Sequence, residues 1–207
     1  INGNARLSQA LVKDKQLENL YILPASQTRD KDALTDEGVA EVMAELSKQF
    51  DYIICDSPAG IERGAQLAMY HADEAIIVTN PEISSVRDSD RIIGILQSRT
   101  KKIEENQGSV REHLVISRYN AERAAANEMM DIDTISNDIL KVPLLGVIPE
   151  SHSVLEASNH GEPVIHYTDS VAGQCYDDIV ARFLGEERPL RHIDVKKKSL
   201  LQRWFGG

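Results

Sequence analysis

The chain has 207 residues, 42% of them hydrophobic and 27% charged, with a formal net charge of −10. That balance excludes a disordered polymer and is long enough for one α/β domain with a substantial core. Lys196, Lys197, Lys198 and Arg203 contribute +4, so residues 1–195 carry −14, which argues against a broad basic face for nucleic acid.

In chain order, "NLYILPAS" (19–26) reads as a short buried strand. "TDEGVAEVMAELSKQF" (35–50) reads as a helix, capped by Thr35, with Asp36 and Glu37 at the positive end of its dipole. "DYIICDSPAG" (51–60) is a second strand running into a loop, which would bury Cys55. A helix (60–72) and a third strand (73–82) follow, then a helix over 84–100 with Ser84 or Ser85 as its cap and a polar loop over 101–112. "HLVISRYN" (113–120) is a fourth strand, 131–141 a helix and "PLLGVIPES" (143–151) a fifth strand, with Glu150 or Ser151 capping what comes next. Two helices, near 153–160 and 170–185, lead to a charged linker over 185–194.

Apolar strands separated by helices specify an α/β fold, with a mostly parallel sheet covered by helices on both faces. Such sheets bind ligands beyond the carboxyl ends of their strands. Attention therefore falls on the residues just after each strand. Asp56 ends an apolar run, where a carboxylate serves Mg²⁺ directly or through water, or simply caps a helix. Asn120 offers a donor and an acceptor suited to a purine edge, and is equally a common turn residue. Pro149 and Glu150 form a turn that either cradles a base or starts a helix. On the helix beginning near 84, Ser84 and Asp88 share one face and Arg87 and Arg91 another. With Asp90 they make either a docking surface or a solvated face with local ion pairs.

Cys55 and Cys175 have no metal or disulfide spacing, and the six histidines show none either. No apolar run reaches the ~18 residues of a membrane span, and no signal peptide is visible.

The chain closes on "KKKSLLQRWFGG" (196–207). On a helical wheel Leu200, Leu201, Trp204 and Phe205 form an apolar stripe roughly 140° wide with a polar back. Lysines, an arginine and a Trp-Phe pair are the composition of an interfacial helix on anionic phospholipid. The alternative is a terminal helix docked on its own domain. At ~2 kcal/mol per buried side chain and ~1 kcal/mol per cation, offset by the entropy of ordering, one such tail is a weak, reversible anchor. Two tails on a dimer would hold better through effective concentration.

"YIICDSPAGIERGA", "DEAIIVTNPEISSVRDSDRIIGIL", "RYN", "GVIPES" and the terminal "LLQRWFGG" closely resemble the septum-site-determining ATPases, the MinD group of the MinD/ParA family of deviant Walker-type P-loop ATPases. The similarity runs from about Ala5 to Gly207. The resemblance implies a P-loop NTPase-like fold over 1–187, a linker over 188–195 and an amphipathic membrane-targeting helix over 196–207. It implies a cell-division ATPase using ATP and Mg²⁺, cytoplasmic and peripheral on the inner face of the cell membrane. An ATP-dependent homodimer would bind the membrane, recruit MinC to inhibit Z-ring assembly and be released by MinE-stimulated hydrolysis. By the same resemblance Asp56 is the catalytic and Mg²⁺-organising acid, and Asn120, Pro149 and Glu150 contact the nucleotide. Ser84, Arg87, Asp88 and Asp90 meet partners, and Lys196, Lys197, Lys198, Leu200, Leu201, Arg203, Trp204 and Phe205 meet the membrane.

The sequence departs from the family in having no G-x-x-x-x-G-K-[ST] loop, and in Ser151-His152 where Asp-Gln is expected. The start without methionine reads as an incomplete N-terminus, so the chain as written is expected to lack ATPase activity. The rival readings are a non-catalytic module for membrane and partner, and another ParA/MinD-type positioning ATPase.

Overall fold

The structure, a computed structural model, describes residues 6–24, 34–58, 60–191 and 193. The expected membrane helix and all its named residues, Lys196 to Phe205, lie outside the described residues. Two compact units divide the chain: residues 1–73 with 95–109, and residues 74–94 with 110–207.

In the first unit, α1 (Leu7–Ala10) precedes the two-residue strands β1 (Val12–Lys13) and β2 (Tyr21–Ile22), which pair antiparallel. The buried strand expected over 19–26 is therefore a short exposed ladder, and Tyr21 and Ile22 both remain exposed. Next come α2 (Asp36–Leu46) and α3 (Arg63–Tyr70). Thr35 caps α2 as expected, its hydroxyl accepting from the Gly38 N–H at 3.1 Å.

Residues 51–58 correct a larger expectation. They form no strand, and Ile54 is 92% exposed and Cys55 exposed. Apolar residues signal burial, but a strand also needs a neighbouring ladder to satisfy its N–H and C=O groups. No ladder to this segment occurs among the described residues.

The second unit is built on three parallel strands in the order β3 (Glu74–Thr79), β4 (Arg111–Tyr119) and β5 (Leu144–Pro149). Helix α4 (Ile83–Leu96) begins in it. Ser84 and Ser85 fall within the first turn of α4, so neither takes the cap position expected of them. The stretch expected as a plain loop holds a further turn of helix, α5 (Lys101–Glu104), in the first unit, and β4 opens at Arg111. A short α6 (Ala121–Ala125), absent from the expectation, follows β4. The helix expected over 131–141 is mostly a π-helix, Thr134–Leu140. After β5 come α7 (His152–His160), a 3-10 turn (Val164–His166) and α8 (Val171–Phe183).

The core of this unit joins Val115, Leu145 and Ile148 to Ala172, Cys175 and Ile179 of α8. Those α8 positions recur at helical spacing, so one face of α8 lies on the sheet. Gly146 permits the approach: a Cβ there would stand 2.9 Å from Ile179 Cδ1 and 3.1 Å from Arg182 Nη1. Parallel strands flanked by helices give the expected α/β class.

Two irregularities set the register between β4 and β5. Leu114 pairs with Leu144, but Val115 pairs with Gly146, leaving one extra residue in β5. Ile116 pairs with Val147, but Tyr119 pairs with Pro149, leaving one extra residue in β4. The second bulge cancels the offset of the first. It contains Arg118, whose φ of 57° is left-handed.

Candidate functional site

The ends of β4 and β5 converge because the second bulge restores their register. Tyr119 lies opposite Pro149, and the Glu150 N–H donates to the Tyr119 carbonyl at 3.0 Å. Asn120 then leaves β4 beside Glu150, and its Nδ2 donates to Glu150 Oε2 at 3.2 Å. Asn120 Oδ1 accepts from the N–H groups of Glu122 and Arg123, each at 3.1 Å, so the same side chain caps α6. Its amide orientation is thereby set from both ends, with the acceptor toward the helix and the donor toward Glu150. Only one of the two Nδ2 hydrogens is used in that bond.

Arg123, one turn into α6, places Nη1 3.7 Å from Glu150 Oε1 and Nε 3.7 Å from Glu128 Oε2. Sequence reasoning did not single out Arg123. Its only signal is its place three residues after the Asn, where a helix start aims it back at the same loop. Asn80, the residue after β3, accepts at Oδ1 from Ser117 Oγ at 2.8 Å and so ties the ends of β3 and β4 together. Ser151 occupies the cap position of α7, but its hydroxyl meets Ser153 Oγ at 2.9 Å instead of capping.

Of the expected nucleotide residues, Asn120, Pro149 and Glu150 are thus brought together at one sheet edge. Asp56 belongs to the first unit, exposed on the irregular segment 51–58. Among the described residues no group of three or more His, Cys, Asp or Glu gathers as a metal cluster. Mg²⁺ at phosphates takes one or two carboxylates and otherwise waters and phosphate oxygens, so a single exposed Asp56 fits the donor set it requires.

Ser84, Arg87, Asp88 and Asp90 are all exposed on α4. Asp88 pairs with Arg91 at 3.4 Å, a surface bond of small energetic weight. His113 packs within the second unit: its Nε2 is 2.7 Å from Glu74 Oε2 and its ring meets Phe183 edge-on. No helix among the described residues is long and apolar enough to cross a membrane.

The sequence model of the CobQ/CobB/MinD/ParA nucleotide binding domain matches residues 4–164. The septum site-determining protein MinD of Neisseria meningitidis serogroup B is 62% identical over 210 residues, which cover 100% of this chain and 77% of that protein. The structure of the MinC:MinD cell division protein complex of Aquifex aeolicus superposes with a TM-score of 0.77 at 35% identity, over 92% of this chain and 73% of that one. Septum site-determining MinD from Pyrococcus horikoshii, solved with Mg-ADP, superposes with a TM-score of 0.69 at 28% identity, over 88% and 72% of the two chains.

Proposed function

The chain belongs to the CobQ/CobB/MinD/ParA nucleotide-binding family, in its MinD septum-site-determining branch, and on that premise we propose that it is an ATP-governed membrane switch of cell-division site selection. The observation that carries the nucleotide part is the Asn120–Glu150 pair at the carboxyl ends of adjacent parallel strands, the place where open α/β sheets receive ligands. In this reading the free hydrogen of Asn120 Nδ2 donates to the adenine edge. The Pro149 turn walls the base, and Glu150 holds the amide in place.

Asp56 would hold Mg²⁺ through water, and Mg²⁺ when bound neutralises charge on the phosphates. The Mg-ADP held by the Pyrococcus horikoshii relative supports nucleotide and metal together. ATP-driven dimerisation would bring two basic tails to anionic lipid on the inner face of the membrane. Residues Ser84, Arg87, Asp88 and Asp90 would meet MinC, to inhibit Z-ring assembly, and MinE, whose stimulation of hydrolysis releases the dimer. The MinC:MinD complex of the Aquifex aeolicus relative supports the first of these partners. The acidic body makes nucleic acid an unsuitable partner.

The test is equilibrium binding of a fluorescent ATP analogue to this chain. Asn120→Ala is expected to weaken binding about five- to tenfold, the scale of one buried hydrogen bond. Unchanged affinity would sink the assignment of Asn120, and no binding by the parent chain would sink nucleotide control of it. The rival reading is a non-catalytic membrane and partner module. It predicts that Asp56→Ala changes neither nucleotide binding nor vesicle binding.

A further inference from the structure

The segment after α8, expected to be a linker, is fastened to the second unit. The Asp178 carboxylate on α8 is 2% exposed. Arg191 Nη2 donates to its Oδ1 at 3.1 Å, and Arg191 Nε stands 2.8 Å from Oδ2, close as an ion pair though not aligned as a hydrogen bond. Arg188 Nη1 lies 3.7 Å from Oδ1, and its Nη2 lies 3.0 Å from Glu186 Oε2. Arg182, one turn along α8, donates from Nε to the Arg188 carbonyl and from Nη2 to the Pro189 carbonyl, each at 2.8 Å. Its Nη1 donates to the Leu145 carbonyl near the start of β5. The side chains of Arg188 and Arg191 and the backbone carbonyls of Arg188 and Pro189 are therefore held.

The energetics keep this fastening shut. A carboxylate as buried as Asp178 is costly to leave unpaired, so Arg188 and Arg191 cannot both depart without stranding it. Five residues beyond Arg191 begins the lysine run of the tail. Two further arginines just ahead of that run would extend its positive charge from four to six if they were free.

We propose that Asp178 is an ionic catch that withholds Arg188 and Arg191 from anionic lipid and so sets the start of the lipid-binding segment beyond Arg191. The proposal rests on the reading of residues 196–207 as a lipid foot. With the catch closed, only the terminal cations face lipid, and attachment stays weak and reversible. With the catch removed, both arginines join the foot.

The experiment is co-sedimentation of the full chain with vesicles of phosphatidylcholine and phosphatidylglycerol, beside vesicles of phosphatidylcholine alone. Asp178→Asn is expected to raise affinity for the anionic vesicles about five- to thirtyfold, the contribution of one to two added cations, and to leave neutral vesicles unaffected. Asp178→Asn with Arg188→Gln and Arg191→Gln, which leaves no stranded charge, is expected to return to the parent affinity. Trypsin gives a second readout, because it must take the Arg191 guanidinium from Asp178 before it can cut after that residue. Cleavage there is expected to accelerate in Asp178→Asn.

A parent chain that ignores anionic vesicles overturns the lipid reading and the catch with it. A parent chain that binds, with Asp178→Asn binding no better, overturns the catch alone. So does a triple variant that keeps the gain. If Asp178→Asn does not fold, Arg191→Gln serves in an otherwise intact chain: unchanged anionic-vesicle affinity supports the catch, and a drop shows that Arg191 already meets lipid and overturns it.

Discussion

Asp131 stands where the helical run over 132–140 begins, and its carboxylate accepts from the Thr134 N–H at 2.9 Å and from the Thr134 hydroxyl at 2.7 Å. Those bonds, the N–H first, hold its pKa below the ordinary carboxylate value. A depressed folded-state pKa contributes stability that is present above the unfolded value, ~3.9, and is lost as pH falls through the folded one. Asp131→Ala should therefore lower the melting temperature at pH 7 and lower it less near pH 3. Solvent screening at this exposed site keeps the difference to a few degrees or less. Equal losses at both pH values would show that the carboxylate charge is irrelevant. Gly146 makes a second residue-scale case. Gly146→Ala drives a methyl into Ile179 and should cost about 1–3 kcal/mol in denaturant unfolding. A neutral result would mean that α8 can shift away. At this scale the sequence showed that Asn120 and Glu150 sit at strand ends, but not that they bond to each other, because a contact thirty positions apart depends on register.

At the scale of elements, the paired bulges of β4 and β5 decide that register. The backbone of Arg118 is left-handed, a conformation that costs an ordinary L-residue ~1 kcal/mol and a β-branched one more. Arg118→Val should destabilise the protein by about 1–2 kcal/mol, and Arg118→Gly should be neutral or mildly stabilising. Equal effects of the two on thermal unfolding would show that strain at this position is unimportant. β3, β4, β5, α2, α7 and α8 were legible because apolar periodicity, segment length and flanking cap or turn residues are local signals. The bulges were not legible, since an arginine in "ISRYN" carries no mark of its φ. Segment 51–58 misled for a different reason: "YIIC" has strand composition, but pairing is a property of two segments, and Tyr52 and Ile54 stay exposed.

For the whole molecule, the asymmetry between an acidic body and a basic end dominates. Deleting residues 196–207 should abolish binding to anionic vesicles, and raising the ionic strength past ~0.15 M, where screening acts within ~8 Å, should weaken it in the intact chain. A chain ending at Val195 that still pelleted with vesicles would overturn the lipid foot. Cysteine chemistry offers an independent check on the body. Cys55 is exposed, whereas Cys175 is buried against the sheet on α8. Maleimide should therefore label Cys55 first, and equal rates would contradict the core assigned to α8.

The sequence by itself determined the α/β class, the family, the position of the strand-end residues and the basic tail. Each of these is written in local composition, in periodicity or in motifs along one stretch of chain. Only the tertiary structure decided that Asn120 is held between α6 and Glu150, that β4 and β5 reach that point through opposed bulges, and that the stretch around Arg188 is strapped to Asp178. Those facts depend on which segments meet. A charged run such as "GEERPLRHID" reads as a linker until a buried carboxylate is found beneath it.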